Sequence, residues 1–278
     1  MNGGQAYRMR PADTMLSNSD YSFLERFLDV TKANLFFAKG VLIVEGDAEA
    51  LLLPVLADLL GRSPSKCGVS IVNVGHVGLF RYARIFRRRG GLVMPVRVAC
   101  VADRDIPPAE AKAYLNSTRK TEADFPPEQI AAAVTVLKRN DGGAVQTFVS
   151  PRWTLEYDLA RTALARYVYA AVSVAVEAKK IGEPPSSATL CACLREAYKE
   201  VDNWLKDGKS AEEVACLIYE PLLNKRASKP ETAQCLAWLL QKCKPANLAR
   251  ELPHYLVDAI DYVTVGSEPL PSAVTERA

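Results

Sequence analysis

The sequence predicts an α/β fold: a parallel-sheet core with helices on both faces, extended by a mainly helical subdomain. Three short apolar runs rich in β-branched residues alternate with segments of helical periodicity between positions 40 and 102. Such alternation is typical of a parallel sheet, because its strands are covered on both faces and need crossover connections. From about residue 160 to 225 the pattern is helical and strand signals are absent.

The first elements follow from changes of periodicity along the chain. Tyr21 to Phe37 carries apolar residues at helical intervals and predicts an amphipathic helix that leads into the sheet. The run Val41 to Val44 then predicts a strand buried on both faces. A helix from Glu49 to Leu60 is expected next, although Pro54 should kink or interrupt it, because proline removes a helical hydrogen bond.

The later elements follow from the same signals, with glycine and proline marking the boundaries. They are a strand at Val69–Val74, a helix from about Gly78 to Arg89, a strand at Val96–Ala102, a short helix after Pro107-Pro108, a polar stretch, a strand near Ala144–Val149, a helix at Trp153–Glu177, and helical sequence to about Tyr219 with a break at Pro184-Pro185.

These elements predict four segments of the chain. They are a lead-in helix and connection at 1–39, a catalytic α/β core at 40–160, a helical insertion at 161–225, and a C-terminal segment returning to the core at 226–278.

The composition indicates a soluble globular protein. Of 278 residues, 49% are hydrophobic and 24% charged, and the formal net charge is only +3. Any basic surface therefore has to be local. Seven cysteines without the spacing of a disulfide framework favour the reducing cytoplasm. No apolar stretch is long enough to cross a bilayer, so no membrane partner is expected.

Carboxylates follow two of the predicted strands. Glu45, Asp47 and Glu49 come after the first strand, and Asp103 and Asp105 come after the third. Because ligands of parallel sheets gather at the carboxyl ends of the strands, these side chains are expected to converge there. Two carboxylates about 4 Å apart repel by about 4 kcal/mol at an effective dielectric near 20, so the cluster needs compensation. Protons, a basic side chain or divalent cations would provide it, and oxygen-only ligands favour Mg²⁺ or Mn²⁺.

Simpler roles stay open for part of this set. Asp47 is also suited to cap the helix that follows it, a common position for aspartate. Asp103 and Asp105 are also compatible with a surface turn beside Pro107.

The words VLIVEGDAE and VACVADRD resemble the motifs of the TOPRIM (topoisomerase-primase) domain, a strand-terminal glutamate and an Asp-x-Asp pair. The wider words NLFFAKGVLIVEGDAEALLLPVLADLLG and SIVNVGHVGLFRYARIF are similar to the nuclease region of the OLD (overcoming lysogenisation defect) family. The resemblance extends from about Asn34 to Asp105 and becomes patchier beyond. It implies a TOPRIM-like core and a metal-dependent DNA endonuclease or nickase that acts with two divalent cations.

The same resemblance assigns roles to later residues. Glu156, in TLEYDL, matches an acidic metal ligand, whereas Asp158 is expected to be solvated. Lys229, in SKPETAQCLAWLL, matches the lysine of the family, with Lys225 as the fallback because Pro230 departs from the pattern. The implied metal ligands are Glu45, Glu49, Asp103, Asp105 and Glu156, and the implied catalytic residues are Glu45, Asp103 and Lys229.

A DNA substrate requires a cationic surface. Arg81, Arg84 and Arg88 share one face of the helix predicted over FRYARIFRRRG and are expected to contact phosphates. A solvated helix face is the alternative. His76 could also touch a phosphate, although a turn residue is the simpler interpretation.

Other functional classes remain as rivals. The sequence has no G-x-x-x-x-G-K-[ST] loop, so ATP binding of the P-loop kind is not expected. The resemblance implies that an ABC-type ATPase region belongs upstream of this chain, and it is compatible with a homodimer. The alternative function is a non-catalytic TOPRIM scaffold that binds DNA in a recombination or repair complex.

Overall fold

The computed structural model describes residues 6–75, 78–182 and 186–264, with the side chains of 30 and 31 left aside. Within these residues the fold is α/β, with one parallel sheet covered by helices on both faces, as predicted. The predicted break at Pro184-Pro185 and the residue His76 lie outside the described residues. No described helix is long and apolar enough to span a membrane.

The sheet has four strands: β1 (Gly40–Val44), β2 (Val69–Asn73), β3 (Arg97–Ala102) and β4 (Val145–Val149). Their order is β2-β1-β3-β4, and every pairing is parallel. All four predicted strands are confirmed to within a few residues. Because β1 and β3 are neighbours in register, the residues that follow Val44 and Ala102 come to one edge of the sheet.

The helices of the described residues fill the connections and most of the second half of the chain. In chain order they are α1 (Asn18–Phe27), α2 (Val30–Ala33), α3 (Asp47–Leu59), α4 (Pro64–Cys67), α5 (Leu79–Arg84), α6 (Pro127–Leu137), α7 (Leu155–Ala160), α8 (Ala165–Ile181), α9 (Ser187–Lys206), α10 (Ala211–Leu223), α11 (Lys229–Cys243), α12 (Leu248–Glu251) and α13 (His254–Thr264), with 3-10 turns at Asn34–Phe36, Ala109–Tyr114 and Glu122–Asp124.

Each face of the sheet has its own core. Val41, Ile43 and Cys100 point to the face covered by α1 and α5. Leu42 and Val44 point to the larger core, formed with α3, α7 to α11 and α13. This alternation follows from the strand geometry, in which successive side chains point to opposite faces.

The last described helix returns to the sheet. The hydroxyl of Tyr262, in α13, donates to the carbonyl of Ala144 over 3.1 Å, and its ring lies 5.8 Å from that of Phe148. Helix α11 packs against both α3 and α8. The chain after the helical segment therefore rejoins the α/β core, although the segment boundaries themselves stay a prediction.

The predicted lead-in helix is wrong in its continuity. It ends at Phe27, and a new helix, α2, begins at Val30. Asp29 explains the break, because its side chain accepts a hydrogen bond from the backbone N–H of Lys32 and caps the second helix.

The helix predicted from Gly78 to Arg89 is too long. Helix α5 ends at Arg84, and the chain beyond it pairs with the N-terminal segment. The N–H of Met15 donates to Arg87 O over 3.0 Å, and the N–H of Arg89 donates to Asp13 O over 3.1 Å. A long-range backbone pairing thus replaces the last helical turns.

The single helix predicted over Trp153–Glu177 is divided into α7 and α8. Thr162 lies in the break: its hydroxyl donates to Leu159 O and accepts from the N–H of Leu164. A threonine side chain that bonds to nearby backbone groups competes with the helical pattern.

Two other departures involve helices. Pro54 lies inside α3 and does not end it, because Leu52, Leu53 and Leu56 beside it are buried and their packing outweighs one lost hydrogen bond. The stretch between the 3-10 turn at Ala109–Tyr114 and β4, predicted only as polar, contains α6, an apolar helix that buries none of its residues.

Candidate metal centre

The carboxylates predicted to converge do line one cavity, of about 360 Å³, at the carboxyl edge of the sheet. Its walls come from the turns after β1, β2 and β3 and from the start of α11. The lining residues are Glu45, Gly46, Asp47, Ala48, Glu49, Asn73, Gly75, Asp103, Asp105, Lys229 and Pro230. We call this cavity the acidic cleft.

The turn after β1 brings Glu49 back towards Glu45. Gly46 has extended backbone and precedes α3, and a Cβ built on it would lie only 3.0 Å from Oε2 of Glu49. A larger residue at position 46 would therefore push Glu49 aside. Glu49 itself is 8% exposed, so this glutamate is held largely out of water.

Asp47 is not the cap that the sequence allowed for. Gly46 takes the N-cap position, and Asp47 is the first helical residue. Its Oδ1 accepts a 2.6 Å hydrogen bond from Nδ2 of Asn73, whose own Oδ1 accepts from the N–H of Gly75. Asp47 therefore ties the end of β2 to the start of α3. Asn73, like Glu45, lies at the carboxyl end of a strand, but the sequence did not predict it as a residue of the site.

Asp103 and Asp105 reach the acidic cleft through a turn rather than through a continued strand. Strand β3 ends at Ala102, and Asp105 has a left-handed backbone with φ of 60°. The N–H of Asp105 donates to the carbonyl of Trp153 over 3.2 Å. Oδ1 of Asp103 accepts from the N–H of Leu155 over 3.0 Å. Both turn residues are thus attached to the segment that starts α7.

Glu156 and Lys229 complete the group from distant parts of the sequence. Glu156 lies in the first turn of α7 and is 4% exposed. The Nζ atom of Lys229, the first residue of α11, lies 3.0 Å from Oε2 of Glu156 and 3.7 Å from Oδ2 of Asp103. Lys225, the fallback lysine, has its carbonyl bonded to Nζ of Lys179 and is not among the residues that line the cleft.

Burial is the largest influence on the pKa values of the carboxylates Glu45 and Asp103, because it removes them from water. Burial raises the pKa of Glu45 to about 7, and the nearby charges of Asp105 and Glu49 add to this effect. Burial also raises the pKa of Asp103 well above its usual range, although Lys229 opposes the shift. Burial lowers the pKa of Lys229, but Glu156, Tyr219 and Asp103 more than compensate, so this lysine stays charged.

The donor set fits a hard divalent cation. Every acidic residue of the group offers carboxylate oxygens, and Oε1 of Glu156 is buried without a hydrogen-bond partner among the described residues. Oxygen ligands of this kind suit Mg²⁺ or Mn²⁺. Among the described residues, however, no three acidic, cysteine or histidine side chains already surround one point. Two of the acids face the ammonium of Lys229 instead.

Asp158 was predicted to be solvated, and this prediction is wrong. The residue is 2% exposed, and burial raises the pKa of its carboxyl to about 6. Oδ2 of Asp158 accepts from the N–H of Arg152 over 3.4 Å, which holds the segment before α7 in place.

The arginines predicted to bind DNA are engaged within the protein. Nη1 of Arg84 donates to Oδ2 of Asp20 over 2.6 Å, and Arg81 lies over the ring of Phe23 with Nε 3.8 Å from Asp20. Nη2 of Arg88 donates to the carbonyl of Arg8 over 2.6 Å.

The assumption that these three arginines share a helical face is wrong, because Arg88 lies beyond the end of α5. Arg87 and Arg89 also bond to backbone carbonyls, those of Asn140 and Thr14 among them. We call Arg81, Arg84, Arg87, Arg88 and Arg89 the arginine clamp, because they attach the N-terminal segment and the turn before β4 to the sheet. Their contact with DNA stays a prediction.

The sequence analysis also missed an aromatic group behind the acidic cleft. Trp153 is 1% exposed, and its ring centroid lies 4.6 Å from that of Tyr219 and 5.5 Å from that of Tyr157. Nζ of Lys229 lies 6.0 Å from the ring of Tyr219. The signal available in the sequence was the position of Trp153, four residues after the end of the fourth strand.

Comparisons with known proteins agree with this architecture. Residues 36–105 match the family model described as overcoming lysogenization defect protein-like, TOPRIM domain. None of the curated proteins compared with the chain matches it.

Two solved structures are similar to the chain. The C-terminal region of the Burkholderia pseudomallei OLD protein is 20% identical, with a TM-score of 0.49, over 84% of this chain and 100% of that one. The C-terminal region of the Xanthomonas campestris pv. campestris OLD protein is 20% identical, with a TM-score of 0.48, over 84% of this chain and 96% of that one.

Proposed function

We propose that this chain, whose residues 36–105 match the OLD-like TOPRIM domain model, is a metal-dependent DNA nuclease that hydrolyses phosphodiester bonds with two divalent cations, Mg²⁺ or Mn²⁺. TOPRIM domains generally bind divalent metals. The observation that carries the proposal is the convergence of Glu45, Glu49, Asp103 and Asp105 on one cleft beside Lys229.

Five carboxylates would hold the cations: those of Glu45, Glu49, Asp103, Asp105 and Glu156. When bound, divalent cations lower the pKa of water and neutralise charge on a reacting phosphate. The raised pKa of Glu45 and of Asp103 supports this role, because a nearby positive charge relieves the repulsion that makes their ionised forms unfavourable.

Lys229 is the basic residue among those that line the acidic cleft. Its ammonium orients Asp103 and Glu156, and a fixed positive charge in this position would stabilise negative charge that develops on a phosphate oxygen. The contact with two of the proposed ligands favours Lys229 over Lys225 as the catalytic lysine.

A non-catalytic scaffold that binds DNA is the second candidate, and one observation favours it. Lys229 already balances part of the acidic charge, and the described acids do not surround one point in advance. The ammonium of Lys229 reduces the need of these acids for a bound cation. The ATPase region upstream and the homodimer remain proposals alongside either function.

Incubation with supercoiled plasmid separates the two candidates. We expect nicked or linear DNA in Mg²⁺ or Mn²⁺, and none in EDTA or with the Asp103→Asn variant. Binding without cleavage in any of the tested metals would favour the scaffold. A covalent protein–DNA adduct would indicate a topoisomerase and overturn the proposal.

A further inference from the structure

An acidic cleft repels a polyanion, so a nucleic acid that reaches it needs cations close by. The arginines of the arginine clamp are poor candidates for these cations, because their guanidinium groups already bond to Asp20 and to backbone carbonyls. Cations that are exposed, lack an acidic partner and lie beside the cleft are therefore the better candidates. The turn at residues 115–120, here called the basic turn, carries two exposed cations, Arg119 and Lys120, and Arg119 contacts Trp153, whose carbonyl is bonded to the cleft residue Asp105.

Arg119 and Lys120 are exposed, and neither has a carboxylate within ion-pair distance among the described residues. The acids that follow them in sequence are engaged elsewhere. Oε2 of Glu122 accepts from Nη2 of Arg104 over 2.7 Å. Oδ2 of Asp124 accepts from the N–H of Thr121 over 2.8 Å. The positive charge of the basic turn is thus not neutralised by its own neighbourhood.

The basic turn is also held in shape. Oδ1 of Asn116 accepts from the N–H of Arg119 over 3.1 Å and from the hydroxyl of Thr118 over 3.3 Å. Nζ of Lys112 lies 3.4 Å from the carbonyl of Arg119. At its end, Thr121 is 2% exposed. Cations on a fixed turn lose less conformational entropy when they bind than cations on a mobile segment.

Trp153 connects the basic turn to the acidic cleft. The guanidinium carbon of Arg119 lies 5.7 Å from the centre of the Trp153 ring. The carbonyl of Trp153 accepts the N–H of Asp105, which lines the cleft. Trp153 therefore contacts Arg119 through its ring and a proposed metal ligand, Asp105, through its backbone carbonyl.

We propose that Arg119 and Lys120 contact the phosphate backbone of DNA that enters the acidic cleft. This inference rests on the proposed function in taking DNA as the substrate, but it does not require that the DNA be cut. The contact is to phosphates, so it is expected to be independent of sequence and to weaken steeply with salt.

The test measures the binding of a fluorescent DNA duplex of about 30 base pairs to the full chain in EDTA, at several salt concentrations. For Arg119→Gln/Lys120→Gln we expect affinity to fall about tenfold at low salt and the slope of log K against log salt to become shallower by about 2, one per lost phosphate contact. Arg119→Lys/Lys120→Arg keeps both charges and is expected to retain the wild-type slope.

Lys39→Gln/Lys66→Gln is the matched control. Both lysines are exposed and lie at the opposite, amino edge of the sheet, so the loss of net charge is the same. Its slope should equal that of the wild type. Equal slopes for the wild type and both glutamine variants, equal losses for both glutamine variants, or a wild-type chain that does not bind DNA would overturn the inference. Wild-type binding together with no plasmid cleavage in Mg²⁺ or Mn²⁺ would overturn the nuclease proposal and leave this contact standing.

Discussion

The acidic cleft and the arginine clamp are both dense clusters of like charge, but the folded protein balances their charges to different degrees. In the clamp, Arg84 pairs with the buried Asp20, and its neighbours bond to backbone carbonyls. In the cleft, Lys229 compensates two of the acids, and burial raises the pKa of Glu45 to about 7. Charge density in a sequence therefore does not identify a functional site. What distinguishes the cleft is charge that the fold leaves incompletely balanced.

Removal of one charge from the acidic cleft should have the largest effect on activity. Asp103→Asn keeps an oxygen that can accept from the N–H of Leu155 but loses the negative charge. We expect cleavage to fall about a thousandfold, because a metal site contributes several kcal/mol to charge stabilisation. Thermal unfolding without metal should be unchanged or shifted upward, because the ionised carboxylate is unfavourable there. Plasmid cleavage and calorimetry measure the two effects.

An Asp103→Asn variant that cleaves at the wild-type rate would remove Asp103 from the mechanism. A variant that unfolds well below the wild type would instead assign the residue a structural role. Glu196→Gln is a suitable control, since Glu196 is exposed on α9 and pairs only with Lys199 among the described residues.

Replacement of the lysine in the cleft should reduce both activity and stability. Lys229→Met leaves Asp103 and Glu156 facing each other without a cation. We expect the free energy of unfolding to fall by about 1–3 kcal/mol without metal and to recover in part with Mn²⁺, and the cleavage rate to fall about a hundredfold.

Lys225→Ala provides the comparison for Lys229→Met. Lys225 has a φ of 57° at the end of α10 and meets none of the cleft acids. Its replacement should leave the cleavage rate unchanged. A loss of activity in Lys225→Ala, with activity kept in Lys229→Met, would exchange the roles of the two lysines.

The arginine clamp should respond to mutation through stability alone. Arg84→Ala leaves the buried carboxylate of Asp20 without its closest cation, and we expect a loss of about 2–3 kcal/mol in denaturant unfolding. Cleavage by the remaining folded protein should be normal. Addition of Asp20→Asn to this variant should cost less than the sum of the single changes, because the two residues interact directly. A lower cleavage rate per folded molecule would give the clamp a role in the reaction.

Stability should also depend on pH through Glu45. Its pKa is about 7 in the folded state and about 4.5 when unfolded, so the folded protein binds the proton more tightly. The metal-free wild type should therefore lose stability as pH rises from 4.5 to about 7, and Glu45→Gln should lose less, since only the raised pKa values of Asp103 and Asp158 then contribute. Thermal unfolding in EDTA across this range measures the difference. Parallel curves for the two proteins would contradict the raised pKa.

The sequence was sufficient for the features that depend on local pattern. Short apolar runs predicted all four strands, and the parallel sheet then required Glu45 and Asp103 to meet at one edge. Lys229 was found only through a family resemblance, because its contact with Asp103 depends on how α11 packs against α3. Periodicity carries no information about such long-range packing.

The errors share that cause. The predicted helix through Arg89 ended early because its last residues pair with Met15 and Asp13, which lie far away in sequence. Asp158 was expected in water because it lies two residues beyond Glu156 on a helix and faces another way, but it is buried and bonds to the segment before α7. In both places a tertiary contact overrides the local preference.

The central claim is that carboxylates from separate strand ends form one divalent cation site. Anomalous diffraction from crystals soaked in Mn²⁺ tests it most directly. We expect manganese peaks within coordination distance, about 2.0–2.3 Å, of oxygens from Glu45 and the Asp103–Asp105 turn, and no peaks in Asp103→Asn crystals. A soaked wild-type crystal without manganese in the acidic cleft, at a concentration that supports cleavage, would contradict the claim.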